Sequence, residues 1–134
     1  AGPEVVAFLD TNILLYAQER GAKAEKARAL IDAGGVTSVQ SMNELINALI
    51  GKYRRPWNEV ERIRDDLLAT LGLPRPLTFA THLFAANVAR DHKFHIYDAM
   101  IIASAIEAGC DTLYSEDMHD GWTLAGLTVV NPFG

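Results

Sequence analysis

The chain has 134 residues, 49% hydrophobic and 22% charged, a balance that fills a core and excludes a disordered chain. Seventeen Asp and Glu outnumber twelve Lys and Arg, giving a net charge of −5, so the surface as a whole is no basic platform for duplex nucleic acid; any phosphate contact needs a local positive patch or a bound cation. No apolar run nears the ~20 residues of a membrane span and no secretory signal pattern is visible. The single cysteine, Cys110, allows neither an internal disulfide nor a multi-cysteine zinc site. A single domain over residues 1–134, working in a reducing cytoplasm and away from membranes, is expected.

Val5 to Leu9 is a short, wholly apolar run, the pattern of a strand buried on both faces. Asp10, Thr11 and Asn12 follow it at once, and a helix is predicted from Asn12 to Gln18. A second helix, Ala22 to Ala33, turns Ala27, Leu30 and Ile31 inward and ends at Gly34-Gly35. Val36 to Val39 is β-prone. The next helix runs from about Ser41 to Tyr53, with Ser41 and Glu44 at the spacing of a capping box.

An amphipathic helix follows from Trp57 to Leu71, stopped by Pro74 and Pro76, and another from Ala80 to His92. Tyr97 to Ala108 is apolar almost all round, which predicts burial against a sheet, and Gly109 supplies its C-terminal signal. Thr112 to Tyr114 and Leu127 to Val130 read as strands. Short strands alternating with helices predict an α/β fold, a mostly parallel sheet with helices on both faces.

Four acids fall where the carboxyl edge of such a sheet should lie. Asp10 ends the first strand, Glu44 stands in the first turn of the helix after the β-prone run, Asp98 opens the most apolar helix, and Asp117 follows a strand end. Open α/β sheets bind their ligands at that edge. Each acid alone has an ordinary explanation as a turn, cap or helix-dipole residue. Together they repel and raise one another's pKa, so a positive partner is required. Clustered carboxylates suit hard divalent cations such as Mg²⁺ or Mn²⁺. An ion held there can activate water for displacement at phosphorus. Asn12 and Ser115 are neutral oxygen donors suited to support. His82, His92, His95 and His119 are scattered and form no acid–base pair.

Leu-Asp-Thr-Asn near the start, Ser-Met-Asn-Glu-Leu around Glu44, Tyr-Asp-Ala-Met-Ile-Ile-Ala-Ser-Ala around Asp98 and Tyr-Ser-Glu-Asp-Met-His-Asp-Gly near the end together resemble the PIN-domain family, and within it the ribonuclease toxins of the VapBC toxin–antitoxin type. The resemblance runs from Val5 to Phe133. It implies the three-layer PilT N-terminus fold and a Mg²⁺- or Mn²⁺-dependent endoribonuclease that cleaves RNA phosphodiesters by metal-activated water. It also implies a cognate antitoxin protein and a homodimer. Carried over by position, Asp10, Glu44 and Asp98 match the three core acids, Asp117 matches a fourth, and Asn12 and Ser115 match polar supporting positions. Glu116 and Asp120 compete with Asp117 for the fourth place. His95 stands where a small hydroxyl cap is usual.

Lys52-Tyr53-Arg54-Arg55-Pro56-Trp57 is a basic, aromatic-interleaved stretch, and Lys52, Arg54 and Arg55 are candidate RNA contacts. The competing reading is a solvated connection with Trp57 packed inward. Three other functions compete: an aspartate phosphatase, disfavoured because Asn12 stands where a second acid is wanted; a non-catalytic metal- or RNA-binding module; and a PIN-type RNA-processing nuclease that is not a toxin.

Overall fold

A computed structural model describes residues 6–134, so Val5 of the expected first strand lies outside the described part. The elements in chain order are β1 (Ala7–Leu9), α1 (Thr11–Tyr16), α2 (Ala22–Asp32), α3 (Val39–Gly51), α4 (Trp57–Leu71), α5 (Phe79–His92), α6 (Ile96–Glu107), β2 (Thr112–Tyr114), β3 (Thr123–Leu124) and β4 (Leu127–Val130). The sheet has the order β1-β2-β4-β3. β1 pairs parallel with β2, and β2 parallel with β4, while β3 runs antiparallel to β4. The sheet is therefore mixed, with one antiparallel edge strand on a parallel centre.

The alternation of a strand separates two cores. Phe8 joins Leu113, Val129 and Leu127 in packing against α5 and α6. Leu9, its chain neighbour, packs with Ile13, Leu14, Leu45 and Val60 on the side of α1 to α4. Helices thus cover both faces. Within α6, Ala99 to Ala105 are all buried, which explains the absence of a polar stripe.

Two expectations change. Val36–Val39 is no strand of its own: Val36 makes one parallel bridge to Phe8, donating its N–H to the Ala7 carbonyl at 2.8 Å and accepting from the Leu9 N–H at 2.9 Å. The chain then enters α3 two residues before Ser41. Ser38 is the N-cap, its Oγ accepting from the Ser41 N–H at 3.1 Å, so Ser41 lies inside the helix and the predicted capping box with Glu44 does not form. Two buried hydroxyls, Ser38 and Ser41, satisfy each other at 3.2 Å, and that burial selects the earlier start. The second change is β3, which the sequence pattern did not show. It reaches β4 through a two-residue turn in which Ala125 (φ 49°) and Gly126 (φ 83°) both take positive φ, as hairpin turns of the right twist require.

Candidate active site

The carboxyl ends of β1 and β2 lie side by side because Leu9 is in register with Tyr114. The next residue on each strand is therefore brought to its neighbour. Asp10 donates its N–H to the Tyr114 carbonyl at 3.1 Å, and Ser115 Oγ donates to Asp10 Oδ2 at 2.8 Å. Asp10 is also the N-cap of α1, its Oδ1 accepting from the Thr11 N–H at 2.7 Å. Its carboxylate is thus fixed at both oxygens, each retaining a lone pair. Burial pushes the Asp10 carboxyl up to about 7; the hydrogen bonds from Ser115 and Thr11 pull it down, and nearby Asp98 and Glu44 add to the rise.

The other acids share this field. Asp98 stands in the first turn of α6, half-buried, and is raised above its ordinary range by burial and then by the charge of Asp117. The residue before that helix, His95, caps it with an imidazole, Nδ1 accepting from the Tyr97 N–H at 3.2 Å, in place of the usual small hydroxyl. Glu44 is raised by burial and then, against a hydrogen bond from Gln40 at 3.3 Å, by Asp98. It sits beyond the first turn of α3, a correction to the expected position that follows from the earlier helix start. Asp117 is exposed, and its Oδ2 accepts from Asn12 Nδ2 at 3.1 Å.

The two other candidates for the fourth acid are engaged elsewhere. The Glu116 carboxylate accepts from Tyr16 Oη and from Lys23 Nζ, both at 2.7 Å, which hold its pKa low. Its contribution at the edge is a backbone one, a long N–H contact of 3.4 Å to Asn12 Oδ1. Asp120 Oδ1 accepts from the Asn131 N–H at 2.8 Å and ties a loop to the end of β4. Among the described residues, no ion pair engages Asp10, Glu44, Asp98 or Asp117.

Thr11, Asn12, Glu44, Asn47, Tyr97 and Asp117 line an open cleft of about 390 Å³ at this edge. Thr11, Asn47 and Tyr97 are not among the site candidates read from the sequence. Asn47 stands one helical turn after Glu44, and Tyr97 directly precedes Asp98, so helical spacing and adjacency were the available signals. The basic stretch divides: Lys52 lines the adjoining hollow, Arg54 is exposed, and Arg55 is ion-paired with Glu59. Trp57 is 60% exposed and does not pack inward.

The donor set fits a hard divalent cation in kind. The oxygens are carboxylate, amide and hydroxyl, and among the described residues no ion pair neutralises the acids, although the charge of His95 lowers the carboxyl of Asp98. The Thr11 hydroxyl at the cleft wall is buried with no hydrogen-bond partner. The set is not a closed cage. Among the described residues, no three His, Cys, Asp or Glu side chains converge closely enough to hold an ion by themselves. Mg²⁺ ordinarily takes one or two carboxylates and completes its shell with waters and substrate phosphates, which an open edge of this kind permits.

A family profile described as PIN domain matches residues 7–119. No curated protein sequence matches the chain. Among solved structures, a toxin–antitoxin complex from Klebsiella pneumoniae is similar at a TM-score of 0.71 and 21% identity, covering 94% of this chain and 97% of that one. VapC20 of Mycobacterium tuberculosis, described as a sarcin-ricin loop cleaving toxin, is similar at 0.68 and 18% identity, over 83% and 89% of the two chains. VapBC2 of Rickettsia felis, bound to a DNA fragment from its promoter, is similar at 0.68 and 15% identity, over 93% and 97%. Likenesses at these identities speak to the fold.

Proposed function

The chain belongs to the PIN-domain family, and from that premise we propose that it is a Mg²⁺- or Mn²⁺-dependent endoribonuclease, the toxin of a toxin–antitoxin pair. The observation that carries the reading is the buried, Ser115-oriented Asp10 gathered with Glu44, Asp98 and Asp117, four acids that enter no ion pair among the described residues. The toxin assignment draws support from the neighbours in fold, which include a sarcin-ricin loop cleaving toxin and a toxin–antitoxin complex.

Asp10 and Asp98 would hold the ion, with Glu44 directly or through water and Asp117 assisting. Bound there, the ion would supply an acidified water and offset the charge of the phosphodiester under attack. Ser115 and the Thr11 amide keep the Asp10 oxygens in one orientation, and Asn12 does the same for Asp117. The cleft is open, so a single strand can lie across it.

An antitoxin and a second copy of the chain are partners proposed with this function. A hollow of about 210 Å³ between α1, α2 and α4, lined by Ala17, Ile31, Ile63 and Leu67 among others, suits apolar side chains of a partner helix.

The test is cleavage of labelled single-stranded RNA with Mg²⁺, with EDTA, and by Asp98→Asn. Cleavage in Mg²⁺ that EDTA abolishes, and that falls at least a hundredfold in the variant, is expected. Activity that persists in EDTA would sink the metal-dependent reading.

A further inference from the structure

Beside the acidic cleft lies a second hollow, of about 310 Å³, which shares Asn12, Leu15 and Asp117 with it and is completed by Tyr16, Glu19, Lys52 and Tyr53. Its aromatic walls are held in place. Tyr16 Oη donates to Glu116 at 2.7 Å, and the Tyr16 ring meets Phe133 edge-on at 5.2 Å between centroids. Tyr53 Oη donates to Glu19 Oε1 at 2.9 Å. Each phenol therefore points at a carboxylate and cannot swing freely. The Tyr53 bond in turn orients the Glu19 carboxylate at the wall. Lys52, exposed, stands with its Nζ 5.5 Å from the centre of the Tyr53 ring and is the one cation among the residues lining either hollow.

We propose that this second hollow seats one unpaired base of the RNA, next to the phosphodiester in the acidic cleft. Glu19 accepts from the exocyclic amino group of that base, and Lys52 meets a neighbouring phosphate. The proposal rests on the nuclease reading for the identity of the ligand as RNA. The lining carries it. Rigid tyrosine walls and Leu15 suit the flat face of a base, for which aromatic side chains are the common partners in single-stranded recognition. Among the lining residues two carboxylates, Glu19 and Asp117, stand against the single ammonium of Lys52, while Lys23, over the Tyr16 ring at 5.0 Å, is engaged by Glu116 at 2.7 Å. That balance repels a phosphate from the interior and leaves it to the rim. A carboxylate only accepts hydrogen bonds, so it favours a base that presents an amino group and opposes one that presents a carbonyl at the same place. Cytosine and uracil differ there in just this way.

The experiment uses Asp98→Asn, which keeps the substrate intact, in Mg²⁺, with labelled eight-nucleotide oligo(C) and oligo(U). The expected result is binding of oligo(C) roughly tenfold tighter, the size of one hydrogen bond to a charged group. Adding Glu19→Gln brings the ratio close to one, because an amide can offer either a donor or an acceptor. Adding Glu25→Gln, an exposed carboxylate on α2, changes net charge equally and leaves the ratio unchanged. Adding Lys52→Ala weakens both oligonucleotides alike and lowers the salt slope by about 0.7, the value of one single-strand phosphate contact. Equal affinities for the two oligonucleotides, a ratio unmoved by Glu19→Gln, or no binding of either overturns the base pocket. The nuclease reading is judged separately, by cleavage with the unsubstituted protein. Cleavage with equal affinities refutes the pocket alone, and discrimination without cleavage refutes the nuclease alone.

Discussion

An ionised Asp10 costs folding free energy, because burial lifts its carboxyl from the ordinary 3.8 to about 7. The folded protein then holds that proton more tightly than the unfolded chain does. Its contribution to stability is full below about pH 4 and is lost as the pH rises through about 7. In EDTA, urea denaturation should therefore show the protein losing stability between pH 4 and pH 8. Asp10→Asn, which has no charge to bury and retains a cap acceptor for the Thr11 N–H, should be flatter over that range. At pH 8 it should be the more stable of the two by up to roughly 4 kcal/mol, the worth of a shift of that size. A variant less stable than the parent at pH 8 in EDTA would refute this. The same substitution should abolish divalent-ion binding in a direct titration, reversing the order of stabilities when Mg²⁺ is present. At the far side of the sheet, Cys110 is the opposite kind of residue. It is buried in the α5–α6 core, where desolvation pushes its thiol up to about 11. Alkylation at neutral pH should be slow until the protein is unfolded, as read by mass spectrometry with and without denaturant.

At the scale of elements, the position of Glu44 depends on where α3 begins. The sequence reading takes Ser41 as the cap, whereas α3 is capped by Ser38, three residues earlier. Ser38 prevails because the preceding Val36 is pinned to β1 and Thr37 accepts from the Arg75 N–H at 2.8 Å, which leaves the turn no slack. Ser38→Ala removes the cap and strands the buried Ser41 hydroxyl. It should cost about 1–2 kcal/mol in chemical denaturation, and a cost below a few tenths would place the cap elsewhere. Gly35, just before this segment, passes so close to β1 that an added Cβ would lie 3.1 Å from Leu9 Cγ and 3.3 Å from the Ala7 carbonyl oxygen. Gly35→Ala should cost on the order of 1–3 kcal/mol through overpacking rather than backbone strain. Its thermal midpoint would fall accordingly, and an unchanged midpoint would mean Leu9 yields freely. Helices with a clear apolar stripe, α4 above all, were legible to the residue. β3 was not, because two residues are too few to alternate and Ala125-Gly126 is a weaker hairpin signal than Asn-Gly.

Over the whole molecule, the sheet centre separates stability from chemistry. Phe8, Leu113 and Val129 are fully buried with α6 against them, far from any carboxylate in bonding terms, while the acids gather where strands end. On the proposed reading the negative charge of the edge would attract a cation, and Lys52 would be left to meet the RNA backbone. The α/β class, the two-sided burial of the first strand and the gathering of Asp10, Glu44 and Asp98 toward one edge were readable from the chain alone. Those depend on hydrophobic periodicity and on motifs short enough to be read along the chain. Which acid after β2 faces the edge is settled by folding. Glu116 and Asp117 are chain neighbours with the same charge, and nothing local separates them. The choice is made by Lys23 and Tyr16, some 93 and 100 residues away, which take the Glu116 carboxylate, and by Asn12, which takes Asp117. Hydrogen bonds between residues that distant in sequence exist only once the chain has folded.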